Sequence, residues 1–136
     1  MNRSSLVFLL TLAAGTAQAQ GGGGASAMRL PLKEGRYMVG GCDRFNEANG
    51  YIGIGTHREG PNKGQQYMVP QAERQEGYCT LRKLAPMGTV LSGVAECDSG
   101  LRNNPTPLGT YRFNLTVHDA ASFTSLGKRY GWCPPR

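Results

Sequence analysis

Histidine is nearly missing from this chain: His57 and His118 are the two examples in 136 residues, and acidic side chains number only 9. Neither histidine has a serine or cysteine nearby in a nucleophile-elbow motif, which removes the usual hydrolase patterns. The carboxylates are scattered, with no pair set at a glycosidase-like separation, and Glu47, Glu73 and Glu76 read as surface charges. The four cysteines, at 42, 79, 97 and 133, form no C-x-x-C and have no histidine at ligand spacing, so zinc and thioredoxin templates both fail. "GIGTHREG" has the glycines of a phosphate loop, but proline follows and no helix pattern does, which excludes a nucleotide cradle. Basic residues exceed acidic ones by 6, yet no basic run is longer than two. Nucleic acid is therefore not the expected partner.

Long apolar runs are also scarce. The one that exists, "LVFLLTLAAG", is too short for a membrane span, which needs about 20 residues. Arg3 precedes it, and Ala17 and Ala19 follow in an A-x-A arrangement, the pattern of a secretory leader over residues 1–19. An apolar first helix is the rival reading, disfavoured by the small residues placed where a peptidase would cut. No cysteine follows the cut, which argues against a lipid anchor. Export places the chain in the periplasm or the medium, as a monomer with no cofactor or metal and no membrane span. Loss of Arg3 leaves 14 basic against 9 acidic residues. Residues 20–29, which include "GGGGASA", have no apolar periodicity and read as a tether, so that 30–136 forms a single domain.

An even number of cysteines in an oxidising compartment predicts two disulfides. Four cysteines permit three pairings, and "GYCTLRKLAPMGTVLSGVAEC" helps to choose among them. A hairpin with a three-residue loop over 87–89 sets Cys79 opposite Cys97 and Leu81 opposite Ala95, all on one face, because side chains alternate with period two. A four-residue loop breaks that alignment. The favoured framework is therefore Cys79 with Cys97, and Cys42 with Cys133 tying the first strand to the last.

Strand patterns fill the rest of the chain. In "TYRFNLTVH", Tyr111, Phe113, Leu115 and Val117 alternate strictly with polar neighbours, which predicts a half-buried antiparallel strand and explains the N-L-T sequon without glycosylation. Weaker patterns at 35–41, 51–55, 66–69, the two hairpin arms, "SFTSL" and "RYGWC" bring the count to seven or eight. "DAAS" reads as a hairpin loop, and "CDRFNEANG" as the one short helical segment. The expected fold is all-β, a small antiparallel barrel or sandwich. Tyr37, Tyr67, Phe113 and Leu115 are expected to point inward and fill it, which disfavours a carrier of small ligands. In "GKRYGWCPPR", Tyr130 and Trp132 are expected to cap the core beside Cys133 while the basic side chains face water.

The two longest connections, 56–65 and 98–107, are the expected sites of recognition, since loops on a rigid scaffold carry function. His57, Arg58 and Lys63 in the first, and Arg102 in the second, are the candidate binding residues, and cationic groups there favour an anionic partner. His118 lies on the polar face of its strand and reads as solvated. Three function classes follow: a binding or inhibitor-like module for an envelope protein or an anionic glycan, a small-ligand carrier, and a hydrolase using His57. The first is preferred, which makes the chain a non-enzyme.

"GRYMVGGC", "GYCTLRKL", "AEC" and "RYGWCPP" together resemble small exported proteobacterial β-proteins, and the build is similar to that of periplasmic lysozyme inhibitors. That resemblance implies export and a compact barrel. Inhibitors of c-type lysozyme are expected to carry a Ser-Gly loop followed soon by an aromatic residue. Here Ser92 and Gly93 precede Val94 and Ala95 inside a predicted strand, so inhibition is not implied.

Overall fold

The structure is a computed structural model, and it describes residues 28–44, 50–101 and 103–135. The expected leader and nearly all of the tether lie outside the described residues, as do Glu47 and Arg102. Eight strands form a closed antiparallel barrel in simple chain order, each pairing with the next and the last with the first. They are β1 (Gly35–Val39), β2 (Ile52–Thr56), β3 (Gln66–Val69), β4 (Tyr78–Met87), β5 (Val90–Asp98), β6 (Pro107–Asp119), β7 (Ser122–Ser125) and β8 (Lys128–Cys133). The barrel, not the sandwich, is the architecture, because β1 and β8 pair and leave no open seam between them. Of the expected helical segment, Cys42–Arg44 form one 3-10 turn, and the residues after it lie outside the described set.

The period-two patterns sort side chains as expected. Tyr111, Phe113 and Leu115 point inward with 6, 4 and 0 % exposure, while Arg112 and Asn114 face water. Tyr37, Ile52, Met68, Phe123 and Tyr130 meet them from the other strands in one continuous cluster. Phe123 is flanked by Tyr37 and Tyr130 with ring centroids 5.1 Å away on either side. Burying a side chain such as Leu115 completely contributes about 2 kcal/mol. Gly93 leaves room beneath the Phe113 ring: a Cβ there would lie 2.0 Å from its Cζ.

Both ends of the barrel are closed by the chain itself. At the end where β1 begins, the Tyr37 hydroxyl donates to the carbonyls of Lys33 and Ala120, at 2.7 and 3.1 Å. Leu30 packs into the same cluster, its N–H donating to the buried Gln66 carboxamide at 2.6 Å. Trp132 donates to the Glu34 carbonyl at 2.9 Å and packs against the core beside Tyr130, with Lys128 and Arg129 exposed. At the opposite end, a 3-10 turn at Gln71–Glu73 sends Glu73 to the inward-facing hydroxyls of Tyr111 and Ser125. Glu73 is thus an internal acceptor and not a surface charge. Buried hydroxyls need such a partner, and a half-buried carboxylate supplies it to two at once.

Both disulfides form as expected, Cys79–Cys97 inside the barrel and Cys42–Cys133 on its outer wall across the β1–β8 pairing. The hairpin reaches the expected cysteine register by a different route. Met87 pairs with Val90, so the turn holds two residues and not three, and Gly88 adopts the positive φ of 64° that such turns need at their first central position. The extra residue sits instead at Arg82, as a β-bulge between Leu81 and Lys83. A tight turn is compatible with strand twist, and a bulge moves the irregularity to where its side chain has a use.

Candidate functional site

The loops 56–65 and 98–107 leave the barrel at opposite ends, because β2 and β5 run in opposite directions in the antiparallel order. They nevertheless meet, over the outer wall of β3 and β4, and enclose an open cleft of about 590 Å³. Its floor is aromatic. His57, Tyr67 and Tyr78 follow one another with centroid separations of 4.8 and 5.2 Å. Tyr67 was expected inside the barrel, but its neighbours Gln66 and Met68, 1 and 0 % exposed, hold the inward positions. The four-residue stretch "QYMV" has no polar alternation to mark its faces, and Gly55 across the ladder leaves an outward gap that the Tyr67 ring fills. A Cβ on Gly55 would lie 2.5 Å from the Tyr67 Cζ. Tyr78 lies similarly against Gly100, whose Cβ would come within 2.4 Å of the ring, and remains 41 % exposed.

Loop 56–65 is fastened rather than free. His57 and Gln65 extend the β2–β3 ladder, with the His57 N–H donating to the Gln65 carbonyl at 2.9 Å and the Gly64 N–H to the His57 carbonyl at 2.8 Å. From the bulge, the Arg82 guanidinium donates to Gln65 at 2.7 Å and Asn62 at 3.2 Å within the loop, and to Glu96 at 3.1 Å. One side chain therefore ties the loop to the wall. The second loop is closed at its base by the Ser99 N–H on the Thr106 carbonyl, 2.9 Å, and by the Gly100 N–H on Asp98, 2.7 Å.

The candidate residues fare differently. His57 lies in the cleft, its Nε2 2.8 Å from the hydroxyl of fully buried Thr80. Burial holds its pKa below the usual imidazole value, with Arg82 adding to the effect and Asp98 opposing it. The protonated form of His57 is thereby disfavoured. Arg58 lines the cleft with its side chain 84 % exposed and its guanidinium 3.9 Å from Glu34. Lys63 is exposed but contributes no surface to the cleft. Glu59 and Asp98 line it instead. The three cationic groups expected there thus do not gather, and the cleft is aromatic with charges of both signs. His118 is exposed, as expected, and bonds Thr124 at 2.8 Å.

Tyr67, Tyr78, Asp98 and Arg82 are the site residues that the sequence patterns do not reveal. One signal existed: Cys79 and Leu81 fall on odd positions and the next apolar residue, Leu84, on an even one, so the strand must change phase between them. Among the described residues no group of three or more His, Cys, Asp or Glu is placed to hold a metal ion, and no helix is long and apolar enough to cross a membrane. Ser92 and Gly93 stand within β5, not in a loop. Comparison with protein-family models, with curated proteins and with solved structures finds no match to this chain.

Proposed function

We propose that this chain is an exported, non-enzymatic binding module, periplasmic or secreted, that recognises a component of the cell envelope through the cleft between its two long loops. The observation that carries this reading is the convergence of loops from opposite ends of the barrel over a preformed aromatic floor. Preorganised aromatic surface binds with little ordering cost. The leader pattern and the two disulfides support export. The packed interior, closed at one end by Trp132 and at the other by Glu73, supports a module over a carrier of small ligands. A hydrolase reading has less support, because the hydroxyl that meets His57 belongs to fully buried Thr80, out of reach of a substrate.

The test is affinity capture from an envelope extract of the source, comparing the full chain with its Tyr78→Ala variant. Loss of the retained species in that variant, with an unchanged far-ultraviolet spectrum, is the expected result. Equal retention by both proteins overturns the reading, as does turnover of an envelope substrate that disappears in His57→Ala.

A further inference from the structure

We infer that the cleft accepts an uncharged, hydroxyl-rich sugar ring of a glycan, stacked on Tyr78 and bonded at the rim; this rests on the cleft being the recognition surface. Three features of the site lead to that chemistry. The rings of Tyr67 and Tyr78 are seated on backbone, at Gly55 and Gly100, where any side chain would push them away. The contact is with the Cδ2–Cε2 side of the Tyr78 ring and with the hydroxyl end of Tyr67, and it holds both rings close against the wall. Tyr78 remains 41 % exposed, which leaves aromatic surface for the C–H face of a pyranose to stack against. Neighbouring rings in the row are tilted by 49° and 64° to one another, so Tyr78 is the ring that carries the stacked sugar.

The rim supplies the second feature, a mixture of donors and acceptors. Asn62 lines the rim with its carbonyl oxygen accepting from Arg82, and Arg58 extends a largely exposed guanidinium. Asp98 lines the cleft and accepts the Gly100 N–H with one carboxylate oxygen. Sugar hydroxyls donate and accept at once, so they can satisfy both kinds of group. A purely apolar ligand would strip water from these groups and give nothing back. An anionic ligand would meet Arg58 but also Glu59 and Asp98, with Lys63 outside the cleft, so the described lining offers it no net positive charge.

The third feature is the backbone beneath. At this wall β3 is paired on both sides and so is β4 at Cys79 and Thr80, while Tyr78 pairs with Asp98 of β5, so the closed barrel presents no full-length free strand edge to an extended peptide. The usual way for a sheet to capture a peptide is therefore closed here. The cleft is open rather than enclosed.

The experiment is a titration of the isotope-labelled full chain, followed by amide shifts, with cellotetraose, an N-acetylglucosamine tetramer and a heparin tetrasaccharide, backed by a neutral and acidic glycan array. Binding of a neutral saccharide should move the amides of 57–60, Tyr78 and 98–101. Tyr78→Ala should weaken it by about tenfold or more, and Tyr78→Phe, which keeps the ring, by less than about twofold. Arg58→Ala, at an exposed position outside the core, should weaken it about threefold. Raising salt from about 0.05 to about 0.5 M should change the affinity by less than about twofold, since no net charge is neutralised. The inference is overturned if no neutral saccharide on the array moves these amides, or if heparin alone binds and weakens steeply with salt. It is also overturned if envelope capture depends on Tyr78 but the captured species is a glycan-free, protease-sensitive protein; in that case the cleft stands as the recognition surface. Capture indifferent to Tyr78 defeats both.

Discussion

Replacing Glu73 by alanine removes the acceptor for two inward-facing hydroxyls and leaves the rest of the core untouched. Tyr111 is 6 % exposed and Ser125 2 %, and both donate to this one carboxylate. A hydrogen bond to a charged acceptor is worth about 1.5–3 kcal/mol, and a buried donor left unpaired carries its own desolvation penalty. Two such bonds set an upper figure of about 6 kcal/mol. Glu73 itself is only half buried, so water can enter the vacated space and replace part of the loss. The expected cost is therefore about 2–4 kcal/mol, a large share of the 5–15 kcal/mol typical of a domain. Urea unfolding at pH 7 with the disulfides intact measures it. With a slope of about 1 kcal/mol per molar, the midpoint should fall by about 2–4 M. A double-mutant cycle with Tyr111→Phe isolates the mechanism: removing the hydroxyl relieves the orphan, so the double variant should be more stable than the two single losses predict, by about 1 kcal/mol or more. A cost below about 0.5 kcal/mol, with no coupling to Tyr111, would return Glu73 to the surface charge that its sequence context suggests.

Gly93→Ala should destabilise by about 1–3 kcal/mol in the same assay, because its Cβ cannot coexist with the present Phe113 ring, whereas Gly131→Ala, with open space around it, should stay within about 0.5 kcal/mol. Equal effects would refute the packing. Burial pushes the Tyr37 hydroxyl up to about 12 and raises Tyr111 and Tyr130 as well. Between about pH 10 and about pH 12 the unfolded chain therefore binds fewer protons than the folded one, and stability present below that window must fall as pH rises through it. Ionisation of all 6 tyrosines near their ordinary value in the intact fold, read from phenolate absorbance, would contradict this. Deleting Arg82 closes the bulge and restores an uninterrupted ladder, so peptide mapping should still find Cys79–Cys97, while amide exchange at His57 and Gln65 accelerates as the loop loses its tie. Scrambled disulfides in that variant would show that the bulge sets the register.

The fold was legible because most strands have one wet face. Where polar and apolar residues alternate, as in 110–118, the inward set can be read directly, and the cysteine pairing follows from the same period. "QYMV" failed this test because both of its faces are covered, one by the core and one by loop 56–65. Glu73 was misread because a carboxylate between alanine and arginine looks solvated, and only the closed barrel brings Tyr111 and Ser125 to it across 38 and 52 residues of chain. The loops themselves were identifiable from their glycine and proline content. Their chemistry was not. It depends on outward positions of β3 and β4, on burial that disfavours protonation of His57, and on a bulge that a hairpin drawn with a longer turn makes unnecessary.

The most direct test of the account is amide-shift mapping of the full chain against a fractionated envelope extract. Recognition through the cleft predicts that shifts concentrate at 56–62, Tyr78 and 98–101, and vanish in Tyr78→Ala. Shifts centred on the hairpin tip at 85–91 or on the groove beside Cys42–Cys133, with the cleft unmoved, would contradict it.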